Sequence, residues 1–237
     1  DSGWDMARQA FRDWGARMQA APLPNTPLGF KPYDTPPREG LAGPIQVAHC
    51  ACVFPGPHIS DPASAVLSAG VHLVRMDYIL SEIRFKGNAY GASFGYDPYA
   101  GLLSLGSFND PHIVRTLNVF AGTAAFAKAA AWSQDDVTRA IIANAKTVIR
   151  PIRPGEAARD ALQRHVTRTT PDLRQRQYET LRSATPRSVK ETLVATLDSA
   201  HDRGAVCVVS NRRKLEAANE TLGRDALSIR DILPGRT

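Results

Sequence analysis

The sequence is poor in cysteine and lacks long apolar runs and any glycine-rich phosphate loop. Its three cysteines are Cys50, Cys52 and Cys207. So odd and sparse a set excludes a disulfide framework and fits a reducing compartment, the cytoplasm or an organelle matrix. No apolar stretch approaches membrane-spanning length, so no membrane association is expected, and Asp1-Ser2-Gly3-Trp4 does not open a signal peptide. Without a glycine-rich phosphate loop there is no nucleotide cradle of that type. No long repeat or low-complexity tract appears. The chain starts abruptly inside a helical pattern, which leads us to expect a piece or subunit of something longer.

What is present suits a folded domain. Hydrophobic residues make up 43% of the 237 positions, enough for one large domain with an appendage or for two small ones. The formal charge is +6. Arginines gather between Arg150 and Arg187, but Glu156, Asp160, Asp172 and Glu179 are interleaved with them. That mixture reads as solvated helix faces. With no spaced nucleic-acid motif, a nucleic-acid partner is disfavoured.

Trp4 to Ala20 has helical spacing, with Met6, Ala10, Trp14 and Met18 on nearly one line. The proline-rich run from Ala21 to Pro44 reads as an extended linker. We therefore expect residues 1–43 to be the end of a preceding domain and residues 44–237 to form the main one. Ile45 to Phe54 reads as a strand. Asp61-Pro62 starts a helix with two apolar faces, Leu67, Val71, Val74 and Tyr78 on one, Val66, Leu73 and Leu80 on the other. The spacing then predicts a hairpin over Ala89–Ser107, turning at Asp97–Gly101. Helices follow, started by Asp110-Pro111, by the capping box of Ser133 and Asp136, and by Pro154, Pro171 and Pro186, the last two behind Thr170 and Thr185. A strand at Ala205–Val209, a helix at Arg212–Leu222 ended by Gly223, and an edge strand at Ser228–Leu233 complete the chain. The order predicts an α+β fold, a mixed sheet with helices packed on one face.

The most informative stretch runs from Ile83 to Pro111. Arg84 ends a helix, Gly87 is suited to a left-handed terminal position, and Tyr90 opens a strand. Arg84 can serve as a cation on the helix's negative end while Tyr90 packs at a sheet edge. The pair can instead donate hydrogen bonds to a ligand. Spacing leaves both readings open.

The pattern Ile83-Arg84-x-x-Gly87-x-Ala89-Tyr90-Gly91, then Gly101-x-x-Ser104 and Ser107-Phe108-x-Asp110-Pro111, resembles the presequence-protease branch of the pitrilysin/insulinase zinc peptidases. The likeness is to the last of their four domains. It continues through Thr116-Leu117-x-Val119-Phe120, Ala140-Ile141-Ile142, Arg164-His165 and Arg174-Gln175-x-x-Tyr178-Glu179-x-Leu181. It ends near Val208-Val209-Ser210 and Ala218-Asn219. The resemblance implies the same α+β fold and a part in degrading short unstructured peptides enclosed between two halves of an enzyme. It also implies that Arg84 and Tyr90 reach the peptide held at a zinc. Asn88 stands where the family usually has glycine and Asn109 where it usually has arginine. The first is a mild change. The second removes a charge.

Peptidases of that superfamily hold zinc with His-x-x-Glu-His on a helix and a distant glutamate. None of His49, His58, His72, His112, His165 and His201 lies in such a motif. His49-Cys50-x-Cys52 offers no substitute, because strand alternation turns His49 away from the two thiols and no second ligand pair follows. Ser64 and Ser68 have no nucleophile elbow, and Cys207 lies in an apolar strand. We therefore expect no catalytic residue, metal or cofactor within this chain. Zinc is expected in an N-terminal catalytic part of the same enzyme or in a partner subunit. A scaffolding subunit and a basic nucleic-acid-binding module remain the alternatives.

Overall fold

A computed structural model describes residues 2–17, 35–148, 151–200 and 203–232. The chain divides into two compact units, Asp1–Asp34 and Thr35–Thr237. In the first, helix α1 spans Ser2–Arg17. Met18 and most of the expected linker lie outside the described residues.

The second unit is built on one six-stranded sheet. Its strands are β1 (Arg38–Ala42), β2 (His49–Pro55), β3 (Gly91–Asp97), β4 (Leu102–Phe108), β5 (Ala205–Ser210) and β6 (Ser228–Asp231). They lie in the order β3-β4-β2-β5-β1-β6. β1 runs parallel to both its neighbours, and the other pairs are antiparallel. The sheet is therefore mixed, as expected. β1 itself corrects the linker expected through Pro44, since it sits inside the sheet. The unit starts at Thr35, ahead of the boundary expected at residue 44. β2 begins four residues later than expected, and Ala48 makes only an isolated bridge to Asp110.

Helices cover one face. α2 spans Ala63–Val74, and the Asp61 carboxylate accepts a hydrogen bond from Ala63 N at 2.8 Å. α3 is Val114–Ala129, α4 Gln134–Val148, α5 Pro154–Val166, α6 Pro171–Arg182, α7 Pro186–Ala200 and α8 Arg212–Leu222. Most start signals act as read, but Asp110-Pro111 does not start its helix, which begins only at Val114. Ser133 and Asp136 bond reciprocally, and the Thr170 hydroxyl accepts from Leu173 N at 3.2 Å. α2 is the central element. Its Leu67, Val71 and Val74 pack with Phe54, Phe94, Leu103, Leu105 and Val208 from the sheet. Its Val66 and Leu73 face outward against Val137, Leu181 and Val189 of α4, α6 and α7. The two-faced pattern of the sequence is a helix sandwiched between sheet and outer helices.

One feature departs from that periodicity. From Arg75 to Phe85 the helix continues as π-helix, in which each N–H bonds five residues back. The widened turns change which side chains face inward. Ile79 and Ile83 are buried, whereas the expected Tyr78 and Leu80 are only partly so. The Tyr78 ring stacks on Phe126 at 4.6 Å between centroids.

Candidate peptide-binding face

Alternation along the strands separates two unlike faces. The covered one carries Cys50, Cys52, Phe54, Phe94, Leu103 and Leu105. The open one is floored by Ala51, Ser93, Gly95, Ser104 and Gly106, none of them buried. A Cβ at Gly106 would come within 2.9 Å of the Ser93 hydroxyl, which would have to rotate aside. At one end the floor meets a row of rings. His49 lies 4.8 Å from Phe108, and Tyr90 meets Phe108 edge-on at 6.0 Å. A depression of about 460 Å³ lies on this face, walled by His49, Phe108 and Val209.

Tyr90 is 72% exposed at the rim beside Phe108. Its N–H donates to Asn109 O at 3.3 Å, which fixes the backbone, while its hydroxyl has no partner among the described residues. Arg84, in the last turn of the π-helix, is exposed too. Its guanidinium makes neither ion pair nor hydrogen bond among the described residues and stands 5.9 Å from the Phe85 ring. The cap that Arg84 was suited to supply comes instead from Arg115 of α3. That guanidinium donates to Lys86 O at 2.9 Å and to Glu82 O at 3.2 Å, satisfying terminal carbonyls of the π-helix. Sequence spacing gave no signal for Arg115, which is 31 positions from Arg84.

The turn between the two residues also differs in detail from expectation. Asn88, not Gly87, takes the left-handed conformation, with φ 59°. Gly87 is required for a different reason: a Cβ there would lie 2.5 Å from Ile83 O. Asn109 is left-handed as well, φ 47°, and Asn tolerates this conformation better than most residues. The buried Asp110 anchors the neighbouring loop. Its carboxylate accepts from Thr116 Oγ1 at 2.6 Å and from His112 N at 2.8 Å.

The thiols are passive. Burial pushes Cys50 up to about 12, with the Ser107 hydrogen bond acting against it, and burial also raises Cys52 and Cys207. A thiol kept protonated is a poor nucleophile and a poor metal ligand. Cys50 and Cys52 share the covered face and His49 lies on the other, as strand alternation requires. No group of three or more His, Cys, Asp or Glu side chains among the described residues is placed to hold a metal ion. The described residues do not fit a zinc site. No helix of the described residues is long and apolar enough to cross a membrane.

A mixed sheet with helices on one face, an open opposite face and no metal-binding cluster among the described residues defines the class: a two-layer α+β domain without a metal centre of its own in those residues. The profile of the PreP C-terminal domain matches residues 45–212, and the chain belongs to that family. It is similar to presequence protease 1, chloroplastic/mitochondrial, of Arabidopsis thaliana, 28% identical over 167 residues covering 66% of this chain and 15% of that protein. It is similar also to the mitochondrial presequence protease of Emericella nidulans, 26% identical over 201 residues, 84% of this chain and 19% of the relative. The chain thus spans less than a fifth of the length of these two relatives. Among solved structures, the peptidase M16 inactive domain from Pseudomonas fluorescens has the same fold, with TM-score 0.59 at 14% identity, covering 77% of this chain and 46% of that one.

Proposed function

We propose that this chain forms one wall of a peptide-degrading chamber in a zinc metalloendopeptidase and binds the substrate backbone through Arg84 and Tyr90. The zinc and the base that activates water belong to an N-terminal catalytic part, in the same enzyme or a partner subunit. The observation that carries the reading is that both side chains are exposed and unpartnered at the same turn, although Arg115 already caps the helix and the backbone of Tyr90 is already fixed. The adjoining floor of small residues leaves room for an extended peptide. A guanidinium and a phenol both donate, so they suit peptide carbonyls and the oxyanion formed during hydrolysis, and they read backbone more than side chain. That fits short unstructured substrates of varied sequence.

The test uses the complete enzyme with a quenched fluorescent peptide. Tyr90→Phe lowers turnover about a hundredfold, the cost of one oxyanion donor, roughly 3 kcal/mol. Arg84→Ala chiefly raises KM, because it removes ground-state binding. Wild-type kinetics with both substitutions together overturns the assignment and leaves the domain a scaffold. The isolated chain with added zinc hydrolyses nothing on this reading. Chelator-sensitive turnover by the purified chain contradicts it.

A further inference from the structure

A second cavity, of about 430 Å³, lies on the helical side of the domain, beside the turn that ends the β3–β4 hairpin, at the other end of β3 from Tyr90. Small-molecule sites run from about 300 to 1,000 Å³, so this one has room for a compact ligand. Ile59, Ala65, Pro98 and Leu181 supply apolar wall. Tyr99 of the hairpin turn, Arg164 of α5, and Arg174 and Tyr178 of α6 supply donors.

The charges do not balance within the cavity. Arg164 is matched by Asp160 one turn earlier, at 3.6 Å. Arg174 has no ion pair and no side-chain hydrogen bond among the described residues. It also stands one turn inside the N-terminus of α6, where the helix dipole disfavours a cation. Asp172, two positions earlier, does not share its face. The hydroxyls of Tyr99 and Tyr178 have no partner among the described residues either, though both side chains are half-buried. The Arg182 guanidinium lies 5.9 Å from the Tyr178 ring centroid and adds positive potential there. An Arg174 without a counter-ion in the lining, two idle phenols and apolar walls complement an anionic group on an apolar body.

We propose that this cavity binds a carboxylate borne on an apolar group, held by Arg174 with the phenols of Tyr99 and Tyr178. A guanidinium takes a carboxylate in a two-point, charge-assisted hydrogen bond. The proposal does not depend on the role of Arg84 and Tyr90. Two sources share this chemistry, the C-terminal residue of a peptide and a free small acid.

Calorimetric titration of the whole chain with 3-phenylpropionate and with 3-phenylpropanamide tests it. The acid binds at least about tenfold more tightly than the amide, equivalent to about 1.4 kcal/mol. Arg174→Gln, with an unchanged circular dichroism spectrum, abolishes the difference. Tyr178→Phe weakens acid binding several-fold. Arg84→Ala and Tyr90→Phe leave it unchanged. N-acetyl-Ala-Ala-Phe with a free carboxylate separates the sources. Tighter binding than 3-phenylpropionate assigns the site to peptide ends, and weaker binding assigns it to small acids. Equal affinity for acid and amide, no saturable binding of the acid, or full retention of acid binding by Arg174→Gln overturns the proposal.

Discussion

Leu102 and Leu103 are neighbours on β4 with identical side chains, yet they belong to different regions of the molecule. Leu103 points into the core and is fully buried, while Leu102 lies on the open face and is 42% exposed. The same contrast holds across the sheet. On the covered side, phenylalanines and leucines meet α2, and removing any of them opens a void. On the open side, glycine, serine and alanine bury almost nothing, and nothing in the described residues covers them. Stability and candidate function therefore occupy opposite faces of the same strands, separated by the two-residue period. A face that contributes little to folding is free to be shaped by what it binds.

Paired substitutions put this to the test. Leu103→Ala should cost about 2 to 5 kcal/mol, the transfer of its methyl and methylene groups plus the cavity left behind. Leu102→Ala should cost only about 0.5 kcal/mol, as at an ordinary surface position. Urea unfolding of both variants measures the two. Equal costs would mean that the open face is covered in solution and the contrast is false. Glycines give a second pair. Gly87→Ala drives a Cβ against the Ile83 carbonyl and should cost about 1 to 3 kcal/mol. Gly91→Ala meets nothing nearer than Phe108 Cβ at 3.7 Å and should be neutral within about 0.5 kcal/mol.

A smaller effect separates the two arginines at the end of the π-helix. Arg115→Ala should lower stability by about 1 kcal/mol, because it leaves carbonyls of the last turn without their donor. Arg84→Ala should change it by less than about 0.5 kcal/mol. A stability loss at Arg84 equal to that at Arg115 would return Arg84 to a structural role and remove the main support for its binding backbone.

Much of the fold was legible because its signals are local. Ser133 with Asp136, Thr170 with Pro171, and Gly223 act within a few residues of themselves, and the helices begin and end there. The apolar spacing of Leu67, Val71 and Val74 against Val66 and Leu73 announced a helix buried on two sides. β1 was hidden because its cause is distant. Pro36, Pro37, Gly40 and Gly43 give it a linker's composition, and it becomes a strand only because β5 and β6, far along the chain, pair with its two edges. The π-helix was hidden for another reason. Its apolar residues fit an α-helical face closely enough that only the burial of Ile79 and Ile83 exposes the change of phase. For the candidate site, Arg84 and Tyr90 were legible through the family resemblance. Arg115, which frees Arg84 from capping, comes from another helix and carries no motif.

A last, small effect concerns Asn88, which holds the left-handed turn between Arg84 and Tyr90. A left-handed backbone costs most residues about 1 to 2 kcal/mol, Asn somewhat less and Gly nothing. Glycine repays part of this through the larger entropy of its unfolded chain, about 0.5 to 1 kcal/mol. Asn88→Gly should therefore stabilise by no more than about 0.5 kcal/mol, and Asn88→Ala should destabilise by about 1 kcal/mol. Urea midpoints at unchanged slope read the difference. The same variants in the complete enzyme sharpen the contrast between folding and binding. Glycine widens the conformations open to the turn without weakening the core, so turnover should fall slightly while stability holds or rises. A drop in both would mean that the Asn88 side chain anchors the turn through its own contacts, and that this stretch belongs with the structural region rather than with the open face.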